Sequence, residues 1–427
     1  MRAFTFASGT LLSLSILVGS AFGQTPFNIT SFSLPASGTN STYTTAIVSQ
    51  GSGTATFTGL ASSNATVTAT GISTRERGLN CGAYSQVTLT FAFNATDSLT
   101  ILTQGGLFGA GTSQTLTFNV TGGTGAYSGK GGSGTFLASL SETGTTALIT
   151  GTGSGTLTSQ LTPAATILPS GIVPVFSSVP MVQVGSWISV YGTNMANATA
   201  LWNGTFHTTL GGVTLTIDNL PAPLWFVSSG QINAQVPNVN VVGCVNVVLT
   251  TPNGTVNSQI TIQPAQPSFS LLNSTYVVGE IPDPNGSGAY GSGLNSYDLV
   301  GPSGAFSFST RPVKVGETVV LFGVGFGPTQ PNVPAAQAYS GAAPAVYMPS
   351  VTIGGKNAQV AFAGEIGAGL YQLNVVIPQV ASGDQQIIAT VPLPTPVLFS
   401  SGMTQNCQDP DPEGSMPTSC AIYITVQ

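Results

Sequence analysis

The sequence predicts an all-β chain built from several sheet domains. Apolar and polar residues alternate with period two over many short runs, and Gly, Asn and Pro punctuate those runs. After the first two dozen residues, no stretch shows the helical period. A duplication then fixes the organisation of the C-terminal part. Val184 to Met195 (Val-Gly-Ser-Trp-Ile-Ser-Val-Tyr-Gly-Thr-Asn-Met) returns as Val315 to Phe326 (Val-Gly-Glu-Thr-Val-Val-Leu-Phe-Gly-Val-Gly-Phe). Gln231-Ile-Asn-Ala-Gln-Val-Pro237 returns as Gln372-Leu-Asn-Val-Val-Ile-Pro378. Glycine, apolar, amide and proline positions recur together, the mark of a repeated β unit.

In chain order, residues 1–23 read as a secretory signal. Arg2 gives the positive end, Leu11 to Val18 the apolar run, and Ala21-Phe22-Gly23 a small-x-small site for cleavage near Gly23-Gln24. The run is well short of the ~20 residues that span a bilayer. Residues 24–162 are expected to form a small β-barrel or sandwich. There Val87, Leu89, Phe91 and Phe93 share one strand face, and Leu116, Phe118 and Val120 share another. Gly122 to Gly134 has the glycine content of a phosphate loop. Lys130, however, precedes Gly131 rather than Ser or Thr, and a strand pattern follows, so a tight hairpin is the reading. Residues 163–179 are expected as a linker, 180–264 as the first repeat unit, 265–311 as a connector and 312–427 as the second unit. In the first unit Val213, Leu215 and Ile217 alternate with Thr214 and Thr216, and Ile260 and Ile262 repeat the pattern. The connector is long for a loop inside a compact fold, so an extra hairpin or lid is expected there.

Composition excludes several functions. Only 7 basic and 13 acidic residues occur in 427, 5% of the chain, against about 25% in a typical soluble domain. Thr, Ser, Asn and Gly do the solvating. The net charge of -6 and the absence of a Lys/Arg cluster argue against nucleic acid. The single histidine, His207, is too little for a Ser-His-Asp arrangement or a histidine zinc site, and no Gly-x-Ser-x-Gly elbow exists. No cofactor is expected. The four cysteines suit an oxidising compartment. Cys407 and Cys420 flank a Pro/Asp/Gly/Ser loop and are the expected disulfide, contributing roughly 3 kcal/mol in the chain-entropy model. Cys81 and Cys244 are left open between pairing and remaining free.

At Val184 to Pro237 the chain resembles an IPT/TIG-type immunoglobulin-like domain, with a glycine-marked first strand and a late strand ending in Val-Pro. From about Pro174 to Gln427 it also resembles an uncharacterised C-terminal region of secreted acidobacterial proteins. The segments that carry this are Leu210 to Ile217, Pro221 to Pro237, Gly325-Phe-Gly-Pro-Thr329 and Val351-Thr-Ile-Gly-Gly355. The resemblance implies two immunoglobulin-like β-sandwich units on an exported protein, and no reaction. The long cysteine-bearing insertion from Pro392 to Cys420 departs from that pattern. Gly122 to Phe136 is similar over one hairpin to a turn of small secreted barrels related to allene oxide cyclase and dirigent proteins.

Few side chains remain as candidates for a site. Arg75, Glu76 and Arg77 form the densest charge cluster and are a candidate contact patch. Flanking arginines hold Glu76 ionised, which suits an anion or sugar contact better than acid catalysis. Trp202 and Phe206 fall in a Gly/Asn loop and could stack on a sugar ring. Trp187 and Trp225 sit in strand patterns and are expected in the core. Gln231/Asn233 and Gln372/Asn374 are expected to hydrogen-bond on an outer sheet face or to a neighbouring loop. Asp409, Asp411 and Glu413 lack the glycine-turned calcium pattern. The expectation is a secreted or cell-surface binding protein, with extracellular polysaccharide or a cell-surface protein as partner. The N-terminal domain would present the loops and the repeats would form a stalk. The alternatives are a polysaccharide-active or small-ligand enzyme in the N-terminal domain, and a self-assembling structural protein.

Overall fold

The computed structural model describes residues 24–40, 44–49, 52–76, 85–105, 113–143, 146–161, 164–177, 179–393, 402–403 and 421–427. The protein is all-β, and its helical elements among the described residues are two single 3-10 turns, Gly125–Tyr127 and Gly293–Asn295. None of its described helices is long and apolar enough to cross a membrane. Residues 1–23, and with them the expected signal, lie outside the described residues.

Eight strands close into a barrel. Thr25–Asn40, Gly53–Thr58, Asn64–Glu76, Ser85–Ala92, Ser98–Gly105, Ser113–Thr124, Gly131–Thr143 and Thr146–Thr158 pair antiparallel in that order. The last pairs back on the first, with Phe27 opposite Gly155 and Ile29 opposite Gly153. Closure leaves no free edge among these strands. A ninth strand, Thr44–Ser49, bridges the first and third of them.

The alternation read from sequence puts Leu89, Phe91, Leu116, Phe118 and Val120 inside. Phe27, Phe32, Phe57, Phe91, Phe118 and Phe136 fill the lumen with neighbouring ring centroids 5.0–6.3 Å apart. Glycine on the last strand makes room for them. A Cβ on Gly155 would stand 2.6 Å from the Phe118 ring. Gly122 to Gly134 forms the expected hairpin between neighbouring strands, turned by Gly125–Tyr127.

The stretch expected as a linker, 163–179, instead supplies the strand Thr166–Pro174, which pairs with Trp187–Thr193. It opens a two-sheet unit. One sheet runs Thr166–Pro174, Trp187–Thr193, Gln231–Gln235, Leu224–Val227, Ala200–Leu201. The other is built on Val213–Ile217, Gly243–Thr251 and Gly254–Gln263. Ile188, Val190, Ile232 and Ala234 from the first meet Val213, Leu215, Ile217, Val247 and Leu249 from the second in one buried core. Asp218 and Asn219, both at positive φ, form a two-residue hairpin turn.

The second unit repeats one strand pair of the first within a single eleven-stranded sheet. Thr318–Val324 pairs with Leu370–Val376 as Trp187–Thr193 pairs with Gln231–Gln235. Gly185 and Gly316 take the same left-handed conformation, at φ of 79° and 84°. Each donates its N–H to the strand-end carbonyl of Val236 or Ile377. The connector holds an added hairpin, Gly279–Asp283 with Ser296–Leu299, which extends the sheet of the second unit. Arg311 ties this hairpin to the unit through Asp298 at 2.6 Å and Glu317 at 2.9 Å.

The two units are docked by polar contacts. Gln183 is 7% exposed and its amide meets the backbone of Gly327 at both ends. Oε1 accepts the Gly327 N–H at 2.6 Å and Nε2 donates to the carbonyl at 3.1 Å. The Tyr371 hydroxyl donates to the same carbonyl. Gln235 and Asn238 accept the N–H groups of Ala336 and Ala335. This dense pairing fixes the angle at which the site below is assembled.

Candidate functional site

Strand alternation builds the floor of the site. Along Trp187–Thr193, Ile188 and Val190 point into the core, so Trp187, Ser189 and Tyr191 point out. On the neighbouring strand Ile232 and Ala234 are buried, so Gln231 and Asn233 face outward, opposite Tyr191 and Ser189. Leu224–Val227 carries a bulge between Leu224 and Phe226, and the extra residue is Trp225. A bulge re-aims a side chain, and Trp225 is 40% exposed on the outer face. The loop 202–208 adds Trp202 and Phe206.

These rings form one cluster. Trp187 lies 5.8 Å from Trp202, 5.9 Å from Trp225 and 6.3 Å from Phe206, centroid to centroid. The expected core placement of Trp187 and Trp225 is therefore corrected. They share a face with Ser189, Gln231 and Asn233, whose polar groups would be costly in a core. Trp202 and Phe206, 5.2 Å apart, do stand together as a pair.

The second unit supplies the opposite wall. Its hairpin tip, Ala368-Gly369, reaches across to the first unit, where the Ala368 carbonyl accepts the Trp187 indole N–H at 2.7 Å. Gly369 has φ of +70°, and a Cβ there would meet the Gly185 carbonyl at 2.5 Å. From beneath, the Glu365 carboxylate accepts the Gly369 N–H at 2.6 Å. Burial pushes the Glu365 carboxyl up to about 7, against the downward pull of that hydrogen bond. Burial, and then the Glu365 charge, raise Tyr371 further above its ordinary range, so its hydroxyl stays a donor. Tyr339, Leu370 and Ser270 complete the wall, and the groove encloses about 640 Å³.

Among the described residues no charged side chain lines this groove. Its polar groups are amides and hydroxyls. Gln231 Nε2 donates to Asn233 Oδ1 at 2.8 Å, and the Ser189 hydroxyl donates to the same oxygen at 3.1 Å. The expected amide pairing is thus present, as it is for Gln372 and Asn374 at 2.7 Å. Ring faces flanked by neutral donors and acceptors can hold a ligand that is both apolar on one face and rich in hydroxyls.

Of the charge cluster, the described backbone belongs to a barrel strand. Arg75 and Glu76 end the strand Asn64–Glu76, with backbones opposite Thr45 and Thr44. Their side chains, and Arg77 entirely, lie outside the described residues. His207 is an exposed loop residue paired with Asn203. Cys244 is disulfide-bonded. Cys81, Cys407 and Cys420 lie outside the described residues, and so does the expected Cys407–Cys420 pairing. Among the described residues no group of three His, Cys, Asp or Glu could hold a metal.

No family model and no curated protein matches the chain. Among solved structures it is similar to a Bacteroides ovatus protein, SGBP-B of a mixed-linkage glucan utilization locus, in complex with a mixed-linkage heptasaccharide. The identity is 11% and the match covers 81% of this chain. The chain spans 64% of that protein, and the TM-score of 0.26 is too low to show a common fold.

Proposed function

We infer that the protein is an exported, non-enzymatic binding protein, and that the groove between its two repeat units takes a neutral saccharide. One observation carries this. All three tryptophans of the chain, Trp187, Trp202 and Trp225, gather on one outer sheet face beside Ser189, Gln231 and Asn233, with no charge among them. The duplication sharpens the reading. The Gln-x-Asn pairs recur in both units, but Thr318 stands where Trp187 stands in the first, so the scaffold is repeated and the aromatic cluster is not. A sugar ring offers an apolar C–H face to an indole and hydroxyls to amides, which is the chemistry this face presents.

The binding role thus moves from the N-terminal domain to the C-terminal pair. The barrel interior is filled by phenylalanine rings packed on one another. The signal-like residues 1–23 and the bonded Cys244 support export to an oxidising compartment. The repeat residues support IPT/TIG-like modules akin to those of secreted acidobacterial proteins. The test is affinity electrophoresis of the mature protein through gels containing soluble neutral polysaccharides. At least one should retard the wild type, and Trp202→Ala or Phe206→Ala should restore free migration. Unchanged retardation of both variants would remove the groove from the account.

A further inference from the structure

We propose that the groove selects a single, soluble glycan chain and rejects the flat face of a crystalline polysaccharide. This rests on the saccharide reading above and adds the physical form of the ligand. A crystalline face needs aromatic rings lying in one plane on an open surface. Here most of the ring planes cross: Trp187 meets Trp202 at 77° and Trp225 at 67°, and Trp202 meets Phe206 at 88°, while Trp187 and Phe206 are stacked at 27° rather than set side by side in one plane. No plane can lie flat on all of them. A chain that twists from one residue to the next can present a ring face to each in turn.

The second wall makes the same selection by shape. Ala368, Leu370 and Tyr339 of the second unit line the groove opposite the tryptophans. The hydrogen bond from Trp187 to Ala368 and the Gln183 clasp on Gly327 hold that wall in place. A ligand must enter between two walls, which a strand of sugars can do and a crystal face cannot. Leu370 is 37% exposed, so a larger side chain there occupies the groove without disturbing the core.

The experiment uses the whole mature chain. Calorimetric titration with soluble gluco-, xylo- and manno-oligosaccharides is set beside sedimentation with crystalline cellulose and crystalline chitin. Leu370→Trp is measured alongside, and its thermal unfolding is compared with the wild type. The expected result is saturable binding of at least one soluble oligosaccharide and no sedimentation above an albumin control. Leu370→Trp should weaken that binding at least tenfold at an unchanged melting temperature. Sedimentation with a crystalline polymer, or full soluble-chain affinity in Leu370→Trp, would overturn the selection while leaving saccharide binding standing. Failure to bind every soluble and crystalline saccharide would overturn both. If Leu370→Trp melts early, Tyr339→Ala replaces it, and an unchanged affinity there would equally count against a two-walled groove.

Discussion

Raising the pH through neutrality should destabilise the second repeat unit, and Glu365 is the reason. Glu365 is 5% exposed, and burial lifts its carboxyl from an ordinary 4.5 up to about 7. Between those values the folded protein holds a proton that the unfolded chain has released. The stabilisation is therefore complete below pH 4.5 and is lost as pH rises through about 7. At ~1.36 kcal/mol for each pH unit, the loss across the window is about 3 kcal/mol. Glu365→Gln keeps an oxygen that can accept the Gly369 N–H and cannot ionise. Its stability should be flat across the same window and should exceed that of the wild type by about 3 kcal/mol at pH 8. Asp298 and Glu317 act in the opposite sense and at lower pH. Burial alone would raise both, but Arg311 together with backbone N–H groups of Ala289 and Lys314 holds them low. Subtracting the variant's curve from the wild-type curve removes their contribution. The assay is urea unfolding from pH 5 to 8, read by tryptophan emission at the junction of the units. Parallel curves for the two proteins, or a gap that widens toward pH 5, would refute the reasoning.

Trp225→Ala should weaken saccharide binding at least tenfold in titration calorimetry and leave the melting temperature nearly unchanged, because the side chain is 40% exposed. Phe118→Ala removes a ring that is 1% exposed in the barrel. It should cost about 3–5 kcal/mol of barrel stability in denaturant titration and leave ligand affinity alone, since the barrel is outside the groove. Gly369→Ala places a methyl group 2.5 Å from the Gly185 carbonyl in a left-handed turn. The hairpin tip should withdraw, and the tryptophan emission of the free protein should shift as the bond from Trp187 to Ala368 is lost.

Much of this architecture was legible in the chain because one buried face imposes period two. Val87 to Phe93 and Val213 to Ile217 alternate on the page and in space. The duplication was legible too, since Gly185 and Gly316 both need a backbone conformation that favours glycine. Barrel closure was not. It rests on pairing Thr25–Asn40 with Thr146–Thr158, strands far apart in sequence whose Gly153 and Gly155 give no alternation of their own. The strand Thr166–Pro174 was hidden by its prolines and glycine, which read as a linker.

For the site, Trp202 and Phe206 stood out in a loop, but Trp187 and Trp225 were hidden by strand patterns in which both faces are apolar. A signal existed. Ser189 lies between Trp187 and Tyr191 in the same register, and Gln231 and Asn233 alternate likewise on the partner strand. Rings interleaved with amides and hydroxyls mark an outward face. Tyr339, Ala368 and Glu365 could not be placed beside them from sequence, because only the docking of the two units brings them there.

The three tryptophans of the chain all lie at the groove and none lies in the barrel, so tryptophan emission reports on the groove directly. Titrating the mature protein with the soluble saccharide that retards it most should shift or quench this emission saturably, at the midpoint found by calorimetry. Calorimetric binding that leaves the emission untouched would place the ligand elsewhere and contradict the account.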